Sequence, residues 1–170
     1  TYGVSDEDSK KALASFKGIR RRFSYQIQSE NLVYIDDYAH HPTEINAVHQ
    51  AVSELYPGEK VLAIFQPHLF SRTRDFADDF AKSLSTFDSV LLLDIYPARE
   101  LPMEGITSDW LLSKMTNFDK KVINKTELIE AVLASDATVF VSIGAGDIGE
   151  LVPSIKKALH EINQMEKPLG

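Results

Sequence analysis

Between an apolar run ending at Ile35 and a helical pattern opening at Pro42, the chain carries Asp36-Asp37-Tyr38-Ala39-His40-His41. Two carboxylates, a phenol and two imidazoles have little to offer a core, where polar and charged groups are costly. They have much to offer a polar ligand. A proline at the first helical position leaves the following backbone N–H groups free and facing this loop, which favours a bound anion. Imidazoles at such a terminus are biased towards neutrality and would act as hydrogen-bond donors or acceptors. The plainer alternative has His41 capping the helix and Asp36 and Asp37 in solvent. Of the two imidazoles, His40 is expected to face the ligand and His41 to cap.

Three more segments carry comparable chemistry. Gln66 to Arg74 follows the apolar run Val61–Phe65, and His68, directly after Pro67, is its strongest candidate. Arg72 and Arg74 are read as lying at or before a helix start, where the macrodipole disfavours cations. A negative partner is therefore expected for each: a ligand anion, or Asp75, Asp78 or Asp79. Asp94 to Glu100 follows the next apolar run. Gly144 to Gly149 matches G-x-G-x-x-G between a strand and a helix. That fingerprint belongs to a first βα turn, with an acidic residue about twenty positions on; here it follows the last strand. An NAD-dependent oxidoreductase is thus a disfavoured alternative, and the glycines are expected to admit a ligand or neighbouring loops.

Other chemistries lack their residues. The chain has no cysteine, so thiolate catalysis and zinc–thiolate sites are excluded. His40 and His41 are adjacent and cannot share a helix face, and no H-E-x-x-H, nucleophile elbow or Walker motif occurs, so no metal site is expected. The net charge of −7 argues against a general nucleic-acid or membrane-surface binder. The longest apolar runs are too short to span a bilayer, and a cytoplasmic setting is expected.

The elements that position these loops follow from periodicity. A helix is predicted from Ser5 to Phe16, with Ala12, Leu13 and Phe16 as its apolar stripe and Gly18 ending it. Strands are predicted at 24–28 and 32–36 around a Ser29-Glu30-Asn31 turn. A helix from Pro42 carries Ile45, Val48, Val52 and Leu55 on one face until Pro57-Gly58. Strands at 61–65, 90–93, 122–123 and 139–143 then alternate with helices marked by Phe76, Phe80 and Leu84, by 109–115, by 128–133 and by 148–162. Such alternation predicts an α/β, Rossmann-like fold, a mostly parallel sheet with helices on both faces. In it the four polar segments fall beyond the carboxyl ends of the strands, where open sheets bind ligands.

Taken in order, Phe16-Lys17-Gly18-Ile19-Arg20-Arg21-Arg22-Phe23, Asp36-Asp37-Tyr38-Ala39-His40-His41-Pro42-Thr43-Glu44, Phe65-Gln66-Pro67-His68, Asp94-Ile95-Tyr96-Pro97-Ala98-Arg99-Glu100 and Gly144-Ala145-Gly146-Asp147-Ile148 resemble the Mur ligases over nearly the whole chain. The resemblance implies that residues 1–17 end a central ATPase domain, 18–23 form a linker and 24–170 form the C-terminal Rossmann-like domain. It also implies an ATP- and magnesium-dependent, amide-forming ligase of peptidoglycan precursor synthesis working through an acyl phosphate, with magnesium held mainly by the central domain. Within the family the branch that adds L-alanine to UDP-N-acetylmuramate fits best; a branch recycling murein peptides is the alternative. By resemblance Arg22 reaches the ATP phosphates, Asp37 holds the ribose, and Tyr38, His40 and His68 line the amino-acid pocket. Many relatives have an arginine after His68, but Leu69 stands here. Arg72 or Arg74 is the candidate replacement, because leucine cannot serve as a bidentate cation. Alone, these residues are expected to catalyse nothing.

Overall fold

The computed structural model describes residues 3, 5–15 and 19–165. Its first helix, α1 (Asp6–Ser15), buries none of its residues, and Leu13 of the expected stripe is 73% exposed. Phe16, Lys17, Gly18 and the polar tail 166–170 lie outside the described residues. The strands β1 (Ser24–Gln28) and β2 (Val33–Asp37) form an antiparallel hairpin around the expected turn. Pro42 then starts α2 (Pro42–Leu55), which buries Ile45, Val48 and Val52. Leu55, the last member of the expected stripe, is exposed.

The rest alternates: β3 (Val61–Phe65), α3 (Phe70–Asp75), α4 (Ala77–Leu84), β4 (Ser89–Leu92), α5 (Ser108–Lys114), β5 (Asp119–Val122), α6 (Leu128–Leu133), β6 (Val139–Ile143) and α7 (Ile148–Met165). The sheet order is β1-β2-β6-β3-β4-β5, parallel except for the β1–β2 pair. Side chains alternate across it, as strand geometry requires. Val33, Ile35, Ala63 and Phe65 face α2, α4 and α5, in one cluster with Ile45, Phe80 and Leu111. Tyr34, Leu62, Ile64 and Phe140 face α6 and α7, in a second cluster with Leu128, Val132, Ile148 and Ile155. Both faces are covered, which explains why β2, β3, β4 and β6 are buried at every position.

β2, β4 and α5 each lie one residue from their expected bounds, α7 runs on to Met165, and two other departures have a local cause. β5 begins at Asp119, because an edge strand with one face towards solvent tolerates Asp-Lys-Lys and loses the apolar signal. Before α4 stands a separate short helix, α3, which places Arg72 and Arg74 in a last turn instead of at a helix start. A helix C-terminus favours cations, so neither arginine requires the negative partner expected for it at a helix start.

Candidate active site

The functional loops meet because the sheet changes direction. From the ends of β2 and β3 the chain turns into helices on one face, while from β6, which lies between them, it turns into α7 on the other. The diverging loops leave a crevice, as at a topological switch point.

Its floor is a buried polar chain. The Tyr34 hydroxyl donates to Ser142 Oγ, 3.1 Å, and the Ser142 hydroxyl donates to Asp36 Oδ1, 2.8 Å. Asp36 is 1% exposed and takes Arg21 Nε at 3.1 Å. Arg21 Nη2 also donates to the Gly144 carbonyl, 2.7 Å, and the Arg21 carbonyl accepts from Tyr38 N–H, 2.8 Å. Burial drives the Tyr34 phenol far above its usual range, so it acts as a donor. Asp36 is thus a structural anchor for the basic segment, a role its position in the motif did not reveal. Arg21 and Phe23 both adopt left-handed backbone, φ 59° and 44°, which costs ~1–2 kcal/mol for each non-glycine residue. The anchor offsets that strain and presents Arg22 between them.

Arg22 and Asp37 come together at one hollow. They line a hollow of about 270 Å³ with Phe23, Glu44, Ala47 and Val48. Arg22 Nη1 lies 3.8 Å from Glu44 Oε1, and its guanidinium stands 5.6 Å from the Tyr38 ring centre. Asp37 is buried and accepts from Phe23 N–H at 2.6 Å and Ala39 N–H at 2.7 Å. A carboxylate has about four acceptor sites, so two backbone bonds leave capacity for ligand hydroxyls.

Beside this hollow the rings converge. Tyr38 meets His40 edge-on at 5.4 Å, His40 lies 6.2 Å from His68, and His68 stacks on Tyr96 at 5.6 Å. His40 is held by Tyr38 O at 3.0 Å and by Glu44, which also accepts the His40 backbone N–H at 2.8 Å. His41 points elsewhere: it caps α2 through Thr43 N–H and packs on Phe76. Burial, reinforced by Arg72 and His40, pushes the His68 pKa below its ordinary value. Burial raises the Glu44 carboxyl, but the His40 N–H, the His40 ring and Arg22 outweigh it and the net shift is downwards.

The two arginines of α3 separate. Arg72 reaches His68, Nη1 to Nδ1 3.4 Å. Arg74 pairs with Asp75 at 2.7 Å and leans on Met103, away from the rings. No side chain caps α3 from its own start; instead Glu100 receives the Ser71 N–H at 2.9 Å and the Ser71 hydroxyl, and these bonds lower its pKa. Leu69 has φ 73° and ψ 131°. Such backbone is strained for leucine by ~1–3 kcal/mol. Its N–H donates to Tyr96 O at 2.9 Å, and its carbonyl takes the Thr73 hydroxyl at 2.8 Å.

The glycine motif serves the loops around it. A Cβ on Gly144 would come within 2.9 Å of the Gln66 carbonyl oxygen, and one on Gly149 within 2.6 Å of the Arg21 guanidinium. A Cβ on Gly146 would strike the Gln66 side-chain oxygen and lie 2.8 Å from Tyr96 Cβ and Cγ. Gln66, 1% exposed, ties the loops by donating to Asp147 at 2.7 Å and accepting Ile148 N–H at 2.9 Å. Gln66, Arg21 and Glu100 all stand within the motifs singled out by sequence, but none was given a role of its own; for Gln66 the signal was an amide at the end of an apolar strand. Among the described residues, no group of three acidic, histidine or cysteine side chains could hold a metal ion, and no helix is long and apolar enough to cross a membrane.

This fold and crevice define a class, and residues 21–147 match the family model "Mur ligase, glutamate ligase domain". The chain belongs to the Mur ligase family. It is 73% identical over 161 residues to the UDP-N-acetylmuramate–L-alanine ligase of Flavobacterium johnsoniae, covering 95% of this chain and 36% of that one. Identity to the ligase of the same name from Parabacteroides distasonis is 49%, over 98% and 36%. The crystal structure of UDP-N-acetylmuramate-alanine ligase from Thermotoga maritima superposes with a TM-score of 0.74 at 28% identity, over 94% of this chain and 34% of that one. A murein peptide ligase from Psychrobacter arcticus shares the fold, TM-score 0.65 at 20% identity, over 92% and 33%. The chain spans about a third of the length of the curated relatives it matches.

Proposed function

We propose that this chain is the C-terminal domain of an ATP-dependent UDP-N-acetylmuramate–L-alanine ligase, the part that receives L-alanine and contacts one side of ATP. The observation that carries the proposal is the convergence of Tyr38, His40, His68 and Arg72 beside the Arg22–Asp37 hollow. Relatives bearing that name, up to 73% identical, support it.

In this reading the Asp37 carboxylate accepts the ribose hydroxyls and Arg22 reaches the phosphates. Bound ATP supplies the phosphoryl group that activates the muramoyl carboxylate, with magnesium held mainly outside this chain. Tyr38, His40 and His68 surround L-alanine, whose amine forms the amide. His68, with its lowered pKa, is neutral at pH 7 and contributes hydrogen bonds. The positive charge facing the alanine carboxylate then falls to Arg72, which takes over from the arginine that Leu69 replaces. The exposed α1 supports assigning residues 1–17 to a central ATPase domain, 18–23 to a linker and 24–170 to this domain. The work is set in the cytosol, where ATP is available.

The test is phosphate release by the full-length ligase with UDP-N-acetylmuramate, ATP and L-alanine. Loss of a charged hydrogen-bond partner removes ~1.5–3 kcal/mol, so Arg72→Ala should raise the KM for L-alanine about 10- to 100-fold and Arg74→Ala should leave it unchanged. Turnover with a murein tripeptide but not with L-alanine would assign the chain to the recycling branch instead.

A further inference from the structure

Tyr96 is held in the crevice through its backbone and through one face of its ring. Its backbone forms a parallel bridge with His68, donating N–H to Pro67 O at 2.8 Å and accepting Leu69 N–H at 2.9 Å. One face of its ring stacks on His68, with centres 5.6 Å apart and planes at 27°. Its Cβ and Cγ lie so close to Gly146 that a methyl there would come within 2.8 Å of both. Behind the ring opens a second hollow of about 460 Å³, lined by Tyr96, Gln66, Asp94, Asn124, Lys125 and Asp147. The ring is therefore a partition, with His68 on one side and, on the other, a hollow whose wall also includes Ile95, Pro97 and Ile123.

We propose that Tyr96 determines specificity by setting the upper size limit of the incoming amino acid's side chain. The inference rests on the reading of His68 as part of the amino-acid pocket. A side chain longer than a methyl group, extending from His68 towards β4, meets the tyrosine ring. The backbone bridge fixes the Cα of Tyr96, and the Gly146 backbone packs beside its Cβ and Cγ. With the ring removed, the pocket and the hollow beyond become one space that accepts a longer side chain.

The experiment compares kcat/KM for L-leucine and L-alanine in the full-length ligase and in Tyr96→Ala, Tyr96→Leu and Tyr96→Phe, with His68→Ala alongside. A single methylene changes selectivity by ~10–200-fold in an apolar pocket. The leucine-to-alanine ratio should rise at least about tenfold in Tyr96→Ala, less in Tyr96→Leu, and not at all in Tyr96→Phe. Tyr96→Leu keeps the Cβ and Cγ that pack over Gly146, and it decides the matter if Tyr96→Ala does not fold. An unchanged ratio in a folded variant, together with a raised KM for L-alanine in His68→Ala, overturns the size limit and leaves the site reading standing. An unchanged KM in His68→Ala overturns the site reading on which the inference rests.

Discussion

Removing the Arg21 guanidinium isolates a carboxylate that the fold has already buried. Asp36, 1% exposed, would keep only the neutral Ser142 hydroxyl, at 2.8 Å. Breaking one partner from a buried pair costs ~3–5 kcal/mol. Arg21's own side chain is 21% exposed, so water can partly replace it, and about 3 kcal/mol is the expected loss for Arg21→Ala. For a chain of this size that lowers Tm by about 6–12 °C. Urea denaturation followed by circular dichroism measures it directly. Two further variants separate side chain from backbone. Arg21→Gly loses the same ion pair but relieves the left-handed strain at φ 59°, so it should be about 1 kcal/mol more stable than Arg21→Ala. Asp36→Asn placed on Arg21→Ala should recover part of the loss, because the stranded group is then uncharged. A cost below about 1 kcal/mol for Arg21→Ala, or no recovery in the double variant, would refute the anchor.

The other expectations concern the crevice. His68 has a lowered pKa in the folded chain against 6.5 unfolded, so the unfolded state binds its proton first as pH falls. Stability is fully present above pH 6.5 and is lost below it; His68→Gln should flatten that acid limb in a pH series of urea titrations. Gly146→Ala drives a methyl into Gln66 and Tyr96 and should cost ~1–3 kcal/mol by overpacking. Thermal melts of the variant against the parent check this.

Much of the architecture was legible because it rests on local pattern. Val61–Phe65 and Val139–Ile143 could be read as strands to the residue, since a doubly covered strand must be apolar on both faces. Pro42 marked its helix because its ring suits only the first turn. The cap of α2 by His41 also agrees with its place directly before Pro42. The break between α3 and α4 was not: 70–84 contain neither proline nor glycine, and the chain bends at Phe76 (φ −116°, ψ 22°) without a local breaker.

The sequence by itself determined which residues carry charge, which rings can hydrogen-bond, and which end of the sheet they occupy. Only the tertiary structure decided their partners. Asp36 and Asp37 are neighbours in the chain, yet successive strand residues point to opposite faces. One therefore meets Arg21 and Ser142 beneath the glycine loop, and the other meets the Phe23 and Ala39 amides beside the hollow. Arg72 and Arg74, two positions apart on a helix, likewise diverge, one to His68 and one to Asp75. Local periodicity sets the direction of each side chain, but the loop it meets is chosen by a strand order that returns β6 between β2 and β3.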